Sequence, residues 1–171
     1  MTNTPSCIGE LIQIIPSQNQ LGENALWHPE HRAIYWIDIT AGQIHQYNVD
    51  TQQHRQYRLP YRVGSFAFLA EQQTYQLIIA FEQGIALYHL DTQELVWLSQ
   101  PEAAQIGNRF NDGRIDRCGD FWAGTMVEKR HTPNQHGNLY RIDHQGKCHK
   151  LVEKILISNG LCWSPDGKLM Y

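Results

Sequence analysis

The chain has 171 residues, 42% of them hydrophobic and 18% charged, with a formal net charge of −3. That is the size of one ordinary domain with enough apolar material for a packed core. There is no basic excess and no Lys/Arg-rich run, which argues against nucleic acid as a partner. No stretch approaches the roughly 18 apolar residues of a membrane-spanning helix. The N-terminus lacks a basic n-region and a long apolar run, so no secretory leader is expected. Cys7, Cys118, Cys148 and Cys162 lie far apart without a C-x-x-C pair, the usage of reduced thiols in a cytoplasmic protein.

In chain order, Ile8 to Ile15 is a short apolar segment closed by Pro16-Ser17 and reads as a strand. Leu21 to Pro29 follows, and a turn to Arg32 leads into Ala33 to Asp38. Thr40-Ala41-Gly42 turns the chain into Gln43 to Asn48. Asp50 to Gln53 turns it again, toward a strand from Gln56 to Leu59. Short strands at this spacing, with turn residues between them, predict one antiparallel sheet. A second set is Ser65 to Leu69, Tyr75 to Phe81, Ile85 to Leu90 and Leu95 to Leu98. A third is Asn111 to Asp116, Phe121 to Met126, Gly137 to Asp143 and Cys148 to Val152. A fourth opens at Asn159 and holds an Asp166-Gly167 hairpin tip.

Aligned by first strand, Trp27, Phe68, Ile115 and Trp163 fall in register at offsets of 41, 47 and 48 residues. A period of this length with four strands per unit is the signature of a β-propeller. No window sustains helical periodicity; Leu151 to Leu156 comes nearest and is too short. Trp27, Trp36, Trp122 and Trp163 are expected in inter-blade core, and Cys118 and Cys162 as small core fillers. The nine histidines are scattered. His28 and His31 flank a Pro-Glu turn, and none is read as a zinc ligand.

Asn108 to Met126, NRFNDGRIDRCGDFWAGTM, carries the most chemistry. A polar knot from Asn108 to Gly113 stands where the chain enters an aromatic hairpin. Arg109 and Asn111 are two apart, so in extended chain they face the same way. A fork of donors beside an amide suits a polyhydroxylated or carboxylate-like ligand. The plainer reading takes Asn-Asp-Gly as turn chemistry. Likewise Glu23 reads as a solvated carboxylate and Asn159-Gly160 as a turn.

Three stretches together resemble the regucalcin (senescence marker protein) and gluconolactonase family. They are L-G-E-N-A-L-W at Leu21 to Trp27, R-F-N-D-G-R-I-D-R-C-G-D-F-W-A-G-T-M at Arg109 to Met126, and I-S-N-G-L-C-W-S-P-D-G-K-L-M-Y at Ile157 to Tyr171. The resemblance implies an all-β, six-bladed propeller. Residues 1–171 would be the N-terminal portion of a single propeller domain, about three and a half blades, ending within a blade. It also implies one divalent metal (Ca²⁺, Zn²⁺, Mn²⁺ or Mg²⁺) held by Glu23, Asn159 and an Asp of a later blade. That Asp, also the family's acid/base, would lie past Tyr171. Arg109 and Asn111 carry over as substrate-binding residues, and Glu128 as the nearby carboxylate. The position that matches the family's carboxylate best holds Lys129.

The implied activity is a metal-dependent hydrolase opening sugar lactones, in carbohydrate metabolism. The metal would polarise the lactone carbonyl and activate water, with Arg109 and Asn111 orienting hydroxyls or a developing oxyanion. The chain by itself is expected to be inactive. The competing reading is a propeller that binds Ca²⁺ or a partner without turnover, since fold does not fix function. Neither reading bears on oligomeric state.

Overall fold

The computed structural model describes residues 11, 13–70 and 76–171. Among them there is no helix, and twelve strands form three four-stranded sheets. Sheet 1 is β1 (Gly22–His28), β2 (Ala33–Asp38), β3 (Gln43–Asn48) and β4 (His54–Arg58). Sheet 2 is β5 (Val63–Phe68), β6 (Leu77–Phe81), β7 (Gly84–Tyr88) and β8 (Leu95–Ser99). Sheet 3 is β9 (Asn108–Ile115), β10 (Phe121–Val127), β11 (Gly137–Ile142) and β12 (Cys148–Ile155). Each is an antiparallel meander in chain order, the blade unit of a β-propeller.

Side chains of short polar residues fix the turns. Asp116 Oδ1 accepts the backbone N–H groups of Cys118 (2.8 Å) and Asp120 (3.0 Å). Asp143 Oδ1 does the same for Gln145 and Lys147, each at 3.0 Å. Both loops then need a left-handed residue, and Gly119 (φ +90°) and Gly146 (φ +78°) supply it.

Two apolar layers separate the three sheets. Tyr35, Ile37, Ile44, Phe66, Leu77, Ile79 and Phe81 fill the space between sheets 1 and 2. Ile78, Ala80, Ile85, Phe110, Phe121, Ala123 and Ile142 fill that between sheets 2 and 3. The period-two alternation of β6 sends successive side chains to opposite layers, so all five of its residues are buried.

The first strands of the sheets lie side by side. Phe66 N–H in β5 donates to Asn24 Oδ1 in β1 at 2.7 Å. A Cβ on Gly64 would stand 2.5 Å from the Asn111 carbonyl oxygen of β9, so glycine allows that approach. Each first strand also carries a β-bulge, between Glu23 and Leu26, Val63 and Ser65, and Phe110 and Gly113. Asn24 sits in the first of these at φ +53°, a conformation that asparagine tolerates better than most side chains.

Several expectations are corrected. In the Ile8 to Ile15 strand, residues 8–10 and 12 lie outside the described set, and residues 11 and 13–15 form no strand. Of the two readings of Asn108 to Gly113, the extended one holds and the turn does not: the stretch is the body of β9, with its Asn-Asp pair in the bulge. Trp27 is 49% exposed. Trp36 stacks on His45 and His54 of its own sheet. Trp122 and Trp163 do meet edge to face, with centroids 6.0 Å apart, joining sheet 3 to the fourth unit. Cys118 and Cys162 are exposed rather than core fillers. Leu151 to Leu156 lies mostly within strand β12. The fourth unit begins as a hairpin, with Trp163 bridged to Met170 and Gly167 (φ +71°) at its tip.

Candidate functional site

The site assembles where the bulges of the first strands face their neighbours. The β9 bulge presents Asn111 and Asp112 consecutively toward the segment at the start of the fourth unit. Asn111 Nδ2 donates to the Ser158 carbonyl at 2.8 Å. Asp112 Oδ2 accepts Leu161 N–H at 3.0 Å. These two bonds straddle Asn159 and Gly160, whose φ of +76° gives the segment its bend. Gly124 packs so closely on Ser158 that a Cβ there would lie 1.9 Å from its hydroxyl.

Arg109 is buried, and its guanidinium is held at Nε and Nη1. Nη1 donates to the Phe110 carbonyl (3.0 Å) and to Asn111 Oδ1 (2.8 Å). Nε donates to Glu128 Oε1 at 2.7 Å. The spacing of two in β9 thus brings Arg109 and Asn111 into direct contact. Nη2 makes no hydrogen bond to a described residue, and Asn111 keeps one N–H and one lone pair spare.

Glu128 follows β10 and is already engaged. Besides Arg109 it accepts a fork from Arg62, Nη1 at 3.1 Å and Nη2 at 2.8 Å. Those hydrogen bonds from Arg62, then those from Arg109, hold the Glu128 carboxyl below its ordinary range. Arg62 is raised in turn, first through Glu128 and then through Glu82. Neither Arg62 nor Glu82 was singled out by motif or spacing. Lys129 is exposed and its side chain has no partner among the described residues; its N–H donates to the Gly107 carbonyl at 3.0 Å.

A second carboxylate network adjoins this one. Glu102 is buried, and its Oε1 accepts Thr125 Oγ1 (2.8 Å), Asn138 Nδ2 (2.5 Å) and Tyr140 Oη (2.9 Å). Its Oε2 accepts Asn108 Nδ2 at 2.8 Å. Burial, with Glu102 alongside, pushes the Tyr140 phenol up. A cavity of about 210 Å³ is lined by Glu82, Glu102, Asn108, Arg109 and Thr125 among others.

Glu23 and Asn159 are both exposed, and neither side chain has a hydrogen-bond partner among the described residues. Glu23 precedes Asn24, whose amide oxygen holds β5; Asn159 follows Ser158, whose carbonyl holds Asn111. No group of three or more His, Cys, Asp or Glu able to hold a metal occurs among the described residues.

Four-stranded antiparallel meanders with their first strands side by side are the blades of a β-propeller. Residues 21–171 match the family described as SMP-30/Gluconolactonase/LRE-like region, and the chain belongs to that family. A 6-deoxy-6-sulfogluconolactonase of Pseudomonas putida is 32% identical over 158 residues, covering 92% of this chain and 53% of that protein. A calcium-binding protein, regucalcin, from Agrobacterium tumefaciens superposes with a TM-score of 0.76 at 30% identity, over 87% of this chain and 48% of that one. A luciferin-regenerating enzyme gives a TM-score of 0.79 at 25% identity, over 90% and 52% respectively. The chain spans about half the length of the curated relatives it matches.

Proposed function

We propose that this chain supplies the ligand-holding wall, and two oxygen ligands of a divalent cation, for a site that opens sugar lactones. The observation that carries the reading is the contact of Arg109 with Asn111, and of Asn111 with the segment leading into Asn159, at one mouth. Family membership and a sulfogluconolactonase relative support the lactone class.

The residues present fit a hard or borderline cation in donor type. Glu23 offers a carboxylate and Asn159 an amide oxygen, both exposed, which suits Ca²⁺, Mg²⁺, Mn²⁺ or Zn²⁺. Two such ligands are part of a coordination shell. When bound, the cation supplies Lewis-acid polarisation of the lactone carbonyl.

The chain's own groups do the holding. Arg109 Nη2 offers donors to a ring hydroxyl or to the carbonyl oxygen as negative charge builds on it. The spare N–H and lone pair of Asn111 match a sugar hydroxyl, which both donates and accepts. Asp112, bonded to Leu161 N–H, holds the segment carrying Asn159. In this proposal Arg109, Asn111 and Asp112 bind and orient, and none of them transfers a proton.

The test follows acid release from gluconolactone by the intact protein carrying this sequence, with Ca²⁺, Mn²⁺ or Zn²⁺ added in turn. Metal-dependent turnover that falls at least about tenfold in Asn111→Ala, at unchanged melting temperature, is expected. Turnover unaffected by that substitution would remove Asn111 from the site. The 171-residue chain by itself is expected to bind gluconate with the cation and not to turn the lactone over. Release clearly above the spontaneous rate would place the proton-transfer group within residues 1–171. Cation binding without turnover by the intact protein would favour the non-catalytic calcium-binding reading, the one suggested by the likeness to regucalcin.

A further inference from the structure

We propose that Arg62 is a positioning residue for this mouth: it fixes Glu128, Glu128 fixes Arg109, and Arg109 fixes Asn111. The inference deepens the lactone-site reading and rests on it. It recasts Glu128 as a support for the binding groups, in place of a direct contact to the ligand.

The geometry is one unbroken series. Arg62 stands just before β5 of sheet 2, and its Nε donates to Glu82 Oε2 at 2.7 Å. Its two terminal nitrogens fork onto both oxygens of Glu128, 66 residues on and attached to sheet 3. Arg109 Nε donates to Glu128 Oε1, Arg109 Nη1 donates to Asn111 Oδ1, and Asn111 Nδ2 donates to the Ser158 carbonyl. Five side chains and one carbonyl therefore link sheet 2, sheet 3 and the start of the fourth unit.

A forked guanidinium–carboxylate pair has one good planar geometry, so it transmits orientation as well as charge. Glu128 already accepts three hydrogen bonds from two guanidiniums, which leaves it poorly placed to receive a ligand hydroxyl. Arg109 held at Nε and Nη1 leaves Nη2 as the group offered to a ligand. A lysine at 62 would keep the charge but lose the fork, and with it the simultaneous hold on Glu82 and Glu128. Two arginines face two glutamates, so the series is neutral and its value lies in direction.

The competing explanation is that Arg62 merely ties sheet 2 to sheet 3. The experiment uses the ¹⁵N-labelled 171-residue chain, with solvent exchange of the Arg109 Nε–H and the Kd for gluconate in Ca²⁺ as readouts. Arg62→Gln is expected to speed that exchange and weaken gluconate, each by about tenfold or more. Arg62→Lys should recover little of either. Glu128→Gln should match Arg62→Gln, and the double variant should be no worse than Glu128→Gln alone, because both act through one series. A lowered melting temperature with exchange and Kd unchanged would overturn the proposal. If Arg62→Gln does not fold, Arg62→Lys decides by the same exchange measurement. A wild-type chain that does not bind gluconate would refute the ligand reading, while the exchange arm still decides whether Arg62 positions Arg109.

Discussion

Two carboxylates meet β9 at adjacent residues near its start, Asn108 and Arg109, and they are held in opposite ways. Glu102 is buried and satisfied by four neutral donors, those of Asn108, Thr125, Asn138 and Tyr140. Glu128 is 41% exposed at its side chain and held by two guanidiniums. The first arrangement tolerates no vacancy, since each donor was desolvated to make it. At the second, water screens the Arg62 pair, which stabilises little, while the Arg109 end of the other pair is buried. Neighbouring groups of the same chemical type thus divide the work: Glu102 secures the floor that carries β9, and Glu128 aims what β9 presents.

The division predicts effects of very different size. Glu102→Ala takes their shared acceptor from three buried donors, those of Thr125, Asn138 and Tyr140, and should cost about 3–5 kcal/mol in urea unfolding. A loss near that of a surface substitution would show that the buried network is not structural. Gly64→Ala comes next. Its Cβ would press on the Phe110 and Asn111 carbonyls, and overpacking of this kind costs about 1–3 kcal/mol. Sheet 3 would be displaced from sheet 2 there, so gluconate binding should weaken with stability.

Glu128→Gln should change unfolding free energy by less than about 1 kcal/mol, which sharpens the contrast with Glu102. The smallest effect is on acid stability. Glu128 has a folded-state pKa below its ordinary value of 4.5, chiefly through Arg62. It therefore contributes stability above about pH 4.5, lost as pH falls from there through the lower folded value. Melting temperature against pH should lose part of its acid limb in Arg62→Gln. An identical limb in both proteins would mean that the pair contributes nothing.

Much of the scaffold could be read from alternation and turn residues. Ala33 to Asp38 and Gln43 to Asn48 appear as strands at the expected residues, because local pattern and local structure coincide there. Spacing also put Arg109 and Asn111 on one side of an extended segment, though not the hydrogen bond between them. Arg62 and Glu82 escaped notice because they lie 66 and 46 residues before Glu128, and only the packing of sheet on sheet brings them together. The Asn-Asp-Gly stretch read as well as a turn as a strand because a bulge uses turn-like residues inside a ladder. Trp27 was misjudged because burial depends on what packs against a side chain, which its own period does not reveal.

The bulges carry a consequence for how such a molecule changes over time. One extra residue is absorbed within each of the first strands β1, β5 and β9, while pairing on either side keeps its register. The two faces of each sheet thus remain in phase with their cores across the bulge. The Asn111 side chain, which bonds outside the ladder, is exchangeable in a way that Gly64, Ile79 or Phe110 is not. Mutation there explores new ligands while the inheritance of the fold is left intact.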